Sequence, residues 1–291
     1  MRILVIGFKG QLGNSLQKLF IEKYFADVLF VDLPDYNLTD ENIVKDCILT
    51  YNPNLIINCA AYTAVDKAEE EQELAKLVNS LGVKWIGKYS AEINCKVIHI
   101  STDYVFDGNS NIPLTPEDKT NPQSVYGKTK LEGELNLCAE NKESIIIRTS
   151  WLYSSYGNNF VKTILNLGKQ KDQINVVSDQ IGTPTYAADL AEVIVTITEM
   201  TMKDNTFFAP GIYHYSNEGD CSWYDFAKMI FKMAGIKCQV NPIFTEAYPT
   251  AAQRPKYSVL DKTKIKKQFE LKIPHWTESL EQCLKEMKII T

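Results

Sequence analysis

Short apolar runs alternate with longer amphipathic stretches through the first half of the chain. The runs are strand-sized and almost continuously apolar, which is typical of parallel strands buried on both faces. The longer stretches repeat apolar residues at helical spacing, as at Leu12, Leu16 and Leu19. The pattern predicts strands at 2–6, 28–31, 55–57, 96–100 and 145–148, and helices at 11–24, 40–51, 66–92 and 124–140.

The alternation is looser after about residue 150, and no repeat or linker separates the two halves. The pattern there predicts helices at 158–169, 186–200, 222–234 and 277–288, and strands at 174–177 and 211–215. We expect an α/β protein with a Rossmann-like doubly wound parallel sheet and a smaller α/β lobe. Residues 1–150 would bind a dinucleotide, together with segments near 186–215, and residues 151–291 would mainly form a substrate-binding lobe across a cleft.

Composition narrows the functional classes. The chain has 31 basic and 36 acidic residues, a net charge of −5, which argues against nucleic acid as a partner. Its apolar runs are much shorter than the ~20 residues of a membrane span. Seven cysteines without a Cys-x-x-Cys pair and no recognisable signal peptide indicate a reduced, cytoplasmic protein. The three histidines, His99, His214 and His275, show no metal-ligand spacing, so we expect no metal site.

The first candidate site is a glycine-rich turn. Gly7, Gly10 and Gly13 follow the first predicted strand and open the first helix. Glycines at such a turn let the backbone approach a pyrophosphate, which the helix N-terminus attracts. Asp32 lies 19 residues after Gly13, at the end of the second strand, where a carboxylate can bind a ribose hydroxyl. The arrangement predicts dinucleotide binding; a glycine-rich turn in some other α/β protein is the alternative.

Two further segments follow strands three and four. Ala60 and Ala61 are small enough to let a ligand lie against the backbone, although close helix packing would explain them equally well. Ser101, Thr102 and Asp103 place three polar side chains in a row at a strand end, where open α/β sheets bind ligands. A hydroxyl there can donate to a substrate oxygen that gains negative charge. A turn leaving the sheet is the alternative.

Tyr126 and Lys130 are four residues apart on a predicted helix, so their side chains share one face. A nearby ammonium would lower the pKa of the phenol and make Tyr126 a candidate general acid. Tyr224 and Lys228 have the same spacing, so spacing alone decides nothing. Tyr126 follows the polar loop of the nucleotide-binding half, whereas we interpret Tyr224 as a surface residue of a lobe helix.

These segments, in this order, resemble the extended short-chain dehydrogenase/reductases, and among them the dTDP-4-dehydrorhamnose reductase family. The more specific stretches are Ser-Thr-Asp-Tyr-Val-Phe at 101–106, Arg-Thr-Ser-Trp at 148–151 and Asp-Gln-Ile-Gly-Thr-Pro-Thr at 179–185. The resemblance extends over nearly the whole chain. It implies NAD(P)H-dependent reduction of the C4 keto group of dTDP-4-keto-6-deoxy-L-mannose (dTDP-4-dehydro-L-rhamnose) to dTDP-L-rhamnose.

The resemblance also implies roles for individual residues. Thr102, Tyr126 and Lys130 match the catalytic triad: Tyr126 would supply the proton, Thr102 would hold the C4 oxygen, and Lys130 would bind the nicotinamide ribose and tune Tyr126. Asp103 and Trp151 match positions that contact the sugar nucleotide. With the two outer glycines of the turn, the cofactor-binding residues would be Gly7, Gly10, Gln11, Leu12, Gly13, Asp32, Asn37, Leu38, Ala60, Ala61, Tyr62, Tyr126 and Lys130.

Three features refine these expectations. Arg254, one of only three arginines, lies beside a proline in the second half and is a hypothetical ligand of the substrate diphosphate. Asp32 favours NADH over NADPH, although Lys9 would offset its repulsion of a 2′-phosphate. Some relatives dimerise through a carboxylate-bound divalent ion; Ser15 and Ala188 occupy the matching positions here, so we expect a monomer or a weak homodimer.

Two other functions stay open. The same fold resembles the non-catalytic regulatory subunit of methionine adenosyltransferase, which binds a dinucleotide, but the complete Thr102, Tyr126 and Lys130 set argues against a purely regulatory role. A reductase of another nucleotide-linked keto-sugar is the second alternative. An epimerase would need an additional acid or base, and the sequence places no obvious Cys or His beside the triad.

Overall fold

The structure is a computed structural model that describes residues 1–23 and 25–291. The predicted helix at 11–24 ends at Glu22, and residue 24 lies outside the described residues. The strands of the described chain are β1 (Ile3–Ile6), β2 (Val28–Val31), β3 (Leu55–Asn58), β4 (Lys96–Thr102), β5 (Ser144–Thr149), β6 (Leu152–Tyr153), β7 (Gln173–Val177), β8 (Ile181–Gly182), β9 (Thr185–Tyr186), β10 (Gly211–His214), β11 (Cys221–Ser222) and β12 (Gln239–Ile243).

Eleven α-helices connect or flank these strands in the described residues. They are α1 (Gln11–Glu22), α2 (Glu41–Tyr51), α3 (Val65–Ala68), α4 (Gln72–Lys76), α5 (Gly82–Glu92), α6 (Val125–Glu140), α7 (Phe160–Gln170), α8 (Ala187–Lys203), α9 (Trp223–Ala234), α10 (Thr263–Gln268) and α11 (Trp276–Glu286).

A six-stranded parallel sheet organises the first half, in the order β10-β5-β4-β3-β1-β2. The prediction of a parallel α/β sheet is therefore confirmed. The chain reverses its direction across the sheet between β1 and β3, and the carboxyl ends of these two strands border a crevice. Open parallel sheets bind ligands at such a switch point.

Both faces of the sheet are covered, which explains why its strands are continuously apolar. In β1, Ile3 and Val5 pack on one face with α1 and α8, while Leu4 and Ile6 pack on the other with α2 and α5. All four side chains are buried. Strand β10 extends the sheet beside β5, so residues after 150 contribute to it.

The predicted helix at 66–92 is interrupted. It consists of α3, α4, a π-helical turn at Leu77–Leu81 and α5. The wide turn places the buried side chain of Asn79 where it bonds both backbone groups of Tyr62, 2.9 Å from the amide and 3.1 Å from the carbonyl. Such π turns commonly occur at functional sites.

The second half contains its own apolar core. Helices α7, α9 and α11 bury Ile164, Phe226 and Leu280 against one another and against β7. The pattern did not predict β12 or α10. Strand β12 contains Pro242 directly after the polar residue Asn241, a pattern typical of a loop, and the lysine-rich α10 buries only Ile265. No helix of the described residues is long and apolar enough to span a membrane.

Candidate active site

A cleft of about 1080 Å³ opens at the carboxyl edge of the sheet, between the sheet and the second half. Every residue predicted to act in catalysis or to bind the cofactor or the substrate lines this cleft. They are Gly7, Gly10, Gln11, Leu12, Gly13, Asp32, Asn37, Leu38, Ala60, Ala61, Tyr62, Thr102, Asp103, Tyr126, Lys130, Trp151 and Arg254.

The glycine-rich turn connects β1 to α1 and lies against the loop after β3. Gly7 has φ +83°, and a Cβ there would lie 2.6 Å from the Ala60 nitrogen. A Cβ at Gly13 would lie 2.3 Å from the Gly7 carbonyl oxygen. Helix α1 begins after Gly10 without a side-chain cap, so its first backbone N–H groups are not satisfied by a capping side chain.

Asp32 organises this turn as well as lining the cleft. Its two carboxylate oxygens accept hydrogen bonds from the backbone nitrogens of Lys9, at 2.9 Å, and Leu33, at 2.8 Å. The Lys9 ammonium donates to the Leu33 carbonyl oxygen. Both carboxylate oxygens of Asp32 thus accept from backbone nitrogens, while the Lys9 ammonium donates to a backbone carbonyl oxygen rather than to Asp32.

The polar residues at the end of β4, Ser101 and Thr102, and Asp103 just after it all line the cleft but differ in their hydrogen-bond partners. Ser101 donates to Glu134, which is bound by Arg148 in a buried ion pair of 2.7 Å. Thr102 and Asp103 turn toward the cleft, and the Thr102 hydroxyl donates to Asp103 Oδ1 at 3.0 Å. Asp103 Oδ2 is buried and has no hydrogen-bond partner among the described residues. Burial raises the pKa of Asp103 to about 6, against the effect of its hydrogen bonds.

Tyr126 lies beside Thr102, with the ring of Tyr104 packed edge-on against it at 5.5 Å between centroids. Burial raises the pKa of Tyr126 above its ordinary value, although a hydrogen bond with Thr102 acts in the opposite direction. Lys130 points elsewhere: its Nζ donates to the Ile100 carbonyl oxygen at 2.7 Å and lies 3.3 Å from His99 Nε2. The expectation that no histidine lies beside the triad is therefore wrong, because the register of β4 brings His99 next to Lys130. The expected lowering of the Tyr126 pKa by Lys130 is thus not found in this structure, because burial dominates and Lys130 is bonded to β4.

Two tryptophans form the wall contributed by the second half. The rings of Trp151 and Trp223 stack at 3.5 Å between centroids with an interplanar angle of 9°. Trp151 has φ +47°, an uncommon conformation for a bulky residue and one associated with functional sites. A Cβ at Gly182 would lie 2.7 Å from the Trp151 ring, so a glycine is required behind it. The sequence analysis missed Trp223 because nothing distinguishes it from a core aromatic of α9.

Arg254 connects the two sides of the cleft. Its guanidinium forms an ion pair of 2.7 Å with Asp66, which follows the loop after β3. The Asp66 carboxylate also accepts from the Ala252 backbone nitrogen at 3.1 Å. Arg254 lines the cleft but already has a carboxylate partner, so a substrate anion would share it or compete for it.

Gln11 forms a second connection between the halves. Its side-chain oxygen accepts from Ser154, at 3.0 Å, and from Asn159, at 2.9 Å. The two positions aligned with metal-binding carboxylates, Ser15 and Ala188, line a separate small cavity beside α11. No group of three metal-ligating side chains occurs in the described part of the chain.

Comparison with known proteins agrees with this geometry. The family model described as "RmlD substrate binding domain" matches residues 1–289. A dTDP-4-dehydrorhamnose reductase of Aggregatibacter actinomycetemcomitans is 43% identical over 285 residues, covering 96% of this chain and 97% of the relative. The crystal structure of a dTDP-4-dehydrorhamnose reductase from Clostridium acetobutylicum superposes with a TM-score of 0.93 at 42% identity, covering 99% and 100% of the two chains. That of the Bacillus anthracis enzyme, determined in complex with NADP, has a TM-score of 0.91 at 39% identity and covers 98% and 99%.

The fold and the residues assembled in the cleft define the class of the extended short-chain dehydrogenase/reductases, as the sequence indicated. Within that class, the chain belongs to the RmlD family, whose relatives are dTDP-4-dehydrorhamnose reductases.

Proposed function

We propose that this protein reduces the C4 keto group of dTDP-4-keto-6-deoxy-L-mannose to give dTDP-L-rhamnose, with NADPH or NADH as the reductant. The observation that carries the proposal is the placement of Thr102 and Tyr126 beside the glycine-rich turn in one cleft. Family membership over residues 1–289 supports the choice of substrate.

The chain is suited to hold a dinucleotide. Gly7 and Gly13 are positions where a Cβ would collide with backbone atoms, so the turn and the start of α1 offer backbone N–H groups to a pyrophosphate. Asp32 offers carboxylate oxygens at the end of β2 to a ribose. The dinucleotide would supply the hydride for C4.

Tyr126 and Thr102 act on the carbonyl oxygen. The Thr102 hydroxyl, which has one proton and donates it to Asp103 in this structure, would turn to hold this oxygen. The Tyr126 phenol donates a proton to the oxygen as negative charge develops. A raised pKa keeps Tyr126 protonated at neutral pH, and the alkoxide formed at C4 is a strong enough base to take that proton. Tyr104, packed edge-on against Tyr126, restrains the phenol ring.

The second half supplies the surface for the sugar nucleotide. The stacked Trp151 and Trp223 offer an apolar wall for the deoxysugar, and Asp103 lies at its polar edge. Arg254 would exchange its bond with Asp66 for a diphosphate oxygen; the support for this role is its ion pair of 2.7 Å at the edge of the cleft. Residues 1–150, with β10 and α8, thus serve the cofactor, and the remainder mainly serves the substrate.

Asp32 favours NADH, because its charge opposes a 2′-phosphate and Lys9 is bonded to a backbone carbonyl instead. A cytoplasmic location is supported by the seven unpaired thiols. We expect a monomer or a weak homodimer without a bridging metal, since Ser15 and Ala188 provide no carboxylate.

The test is turnover by the purified full-length chain. Reduced cofactor is followed by absorbance with dTDP-4-keto-6-deoxy-L-mannose, and the product is identified by NMR. The proposal predicts cofactor oxidation and dTDP-L-rhamnose, with little turnover of a UDP-linked 4-keto-sugar. Tight dinucleotide binding without turnover of any keto-sugar would contradict it and favour a regulatory subunit.

A further inference from the structure

Two buried polar side chains, Asn58 and His99, form a hydrogen-bonded row that ends at Lys130. Asn58 at the end of β3 and His99 in β4 are register partners on adjacent strands, and both are 0% exposed. Asn58 Nδ2 lies 3.1 Å from His99 Nδ1, and His99 Nε2 lies 3.3 Å from Lys130 Nζ. Groups with no solvent access must satisfy one another, so their proton positions can be worked out from their neighbours.

The orientation of the Asn58 amide determines which nitrogen of His99 carries the proton. The Ala60 backbone N–H donates to Asn58 Oδ1 at 3.1 Å, which turns the amide nitrogen toward His99. An amide NH₂ only donates, so His99 Nδ1 accepts and carries no proton. Burial keeps the pKa of His99 well below its ordinary value, and the ring is neutral. Its single proton therefore lies on Nε2 and points at Lys130.

An N–H directed at Lys130 requires an acceptor. An ammonium has three donors and no lone pair, whereas a neutral amine can accept from His99 Nε2 and still donate to the Ile100 carbonyl oxygen. We propose that Asn58 and His99 are positioning residues for Lys130: they fix the imidazole tautomer that directs an N–H at the lysine nitrogen and so favours its neutral amine.

The charges around Lys130 agree with this arrangement. Glu134, on the same helix, favours the ammonium, but its carboxylate is bonded to Arg148 of β5 and to Ser101. Cys59, in the loop after β3, is a neutral thiol because burial raises its pKa to about 12. Tyr126 retains its phenolic proton. Burial lowers the pKa of Lys130 to about 8, so Lys130 exchanges its proton close to neutral pH.

The catalytic meaning of this inference rests on the proposed reductase function, since a lysine that titrates near neutrality can take up and release protons during turnover. The tautomer itself does not rest on that function. It can be read by NMR in protein containing isotope-labelled histidine, where only three imidazoles contribute and His99→Gln assigns the signal. We expect a neutral His99 with its proton on Nε2; a proton on Nδ1 would overturn the proposal.

Asn58→Asp reverses the direction of the hydrogen bonds from residue 58 through His99 to Lys130. One carboxylate oxygen still accepts from Ala60, while the other demands a proton on His99 Nδ1, leaving the Nε2 lone pair facing Lys130. The tautomer signal should switch, and the Lys130 titration, followed in labelled lysine, should move up by about one pH unit. His99→Gln, which removes the directed N–H, should also raise that midpoint. The matched control is Asn141→Asp, a buried amide at the far end of α6, which should leave it unchanged.

If the wild type turns over substrate, Asn58→Asp should move the basic limb of its kcat–pH profile to higher pH by the same shift as the Lys130 midpoint. Asn141→Asp should leave the profile unchanged. An unchanged Lys130 midpoint in Asn58→Asp would contradict the proposal even if turnover fell. Absence of turnover in the wild type would refute the reductase function alone, because the two NMR measurements would still decide the tautomer.

Discussion

Replacement of Asp103 by Asn tests whether burial raises the pKa of this carboxyl. Asp103 is 2% exposed, and burial raises its pKa from 3.8 to about 6. A carboxyl with a raised pKa in the folded state stabilises the fold most below its unfolded pKa, and that stability is lost as the pH rises toward the folded pKa. The contribution of Asp103 to folding stability should therefore be lost mainly between about pH 4 and about pH 6.

The magnitude follows from the shift. A difference of about two pKa units corresponds to roughly 3 kcal/mol, of which about 2 kcal/mol falls between pH 4 and pH 7.5. Asparagine does not titrate in this range, so any free-energy cost of burying its amide is the same at every pH. The stability of Asp103→Asn relative to the wild type should therefore improve by about 2 kcal/mol across this interval.

Urea unfolding of both proteins at a series of pH values measures this difference, because other titrating groups cancel between them. Equal m-values would show that the unfolded states are comparable. Stability curves that run parallel from pH 4 to pH 7.5 would refute the reasoning and place Asp103 in a solvated environment.

Three further predictions follow from contacts in and beside the cleft. Glu134→Ala leaves Arg148 buried without its carboxylate partner and should lower the free energy of unfolding in urea by about 3–5 kcal/mol. Glu143→Ala removes an exposed pair with Lys96 and should lower it by less than about 1 kcal/mol. Equal losses in the two variants would contradict the argument from burial. Gly13→Ala places a Cβ 2.3 Å from a backbone oxygen and should weaken dinucleotide binding at least about tenfold by calorimetry, and unchanged affinity would show that the turn can shift. Asp32→Asn should raise the NADPH-to-NADH ratio of kcat/KM by about tenfold, since it removes a charge that opposes a 2′-phosphate; an unaltered ratio would exclude Asp32 from selecting the cofactor.

Periodicity predicted the main sheet because its strands are buried on both faces and bounded by glycine, proline or polar turns. That signal is absent from β12, where Pro242 and polar residues obscure the strand pattern in the sequence. It is also absent from the π turn, because the helical spacing of apolar residues continues across it. Interruption of a helix by a single wide turn leaves the spacing of apolar residues almost unaltered, so the position of Asn79 was not predictable.

The glycine-rich turn and the residues at strand ends could be predicted because their spacing along the chain is local. The contact between Asn58 and His99 could not, since it depends on the register between β3 and β4, which the sequence of either strand does not reveal. Trp223 belongs to the cleft wall because it stacks on Trp151, 72 residues earlier in the chain. Contacts between residues that lie far apart in the sequence leave no local sequence pattern by which to predict them.

The most direct test of the account compares Tyr126→Phe with Tyr224→Phe in the reductase assay. Both variants remove one phenolic oxygen from a Tyr-x-x-x-Lys pair, but Tyr224 lies outside the cleft with the Lys228 ammonium 5.0 Å from its ring centroid. We predict that Tyr126→Phe lowers kcat by about 100-fold or more while dinucleotide affinity is retained, and that Tyr224→Phe turns over like the wild type. Full activity in Tyr126→Phe would contradict the assignment of the proton donor and, with it, the proposed chemistry of the cleft.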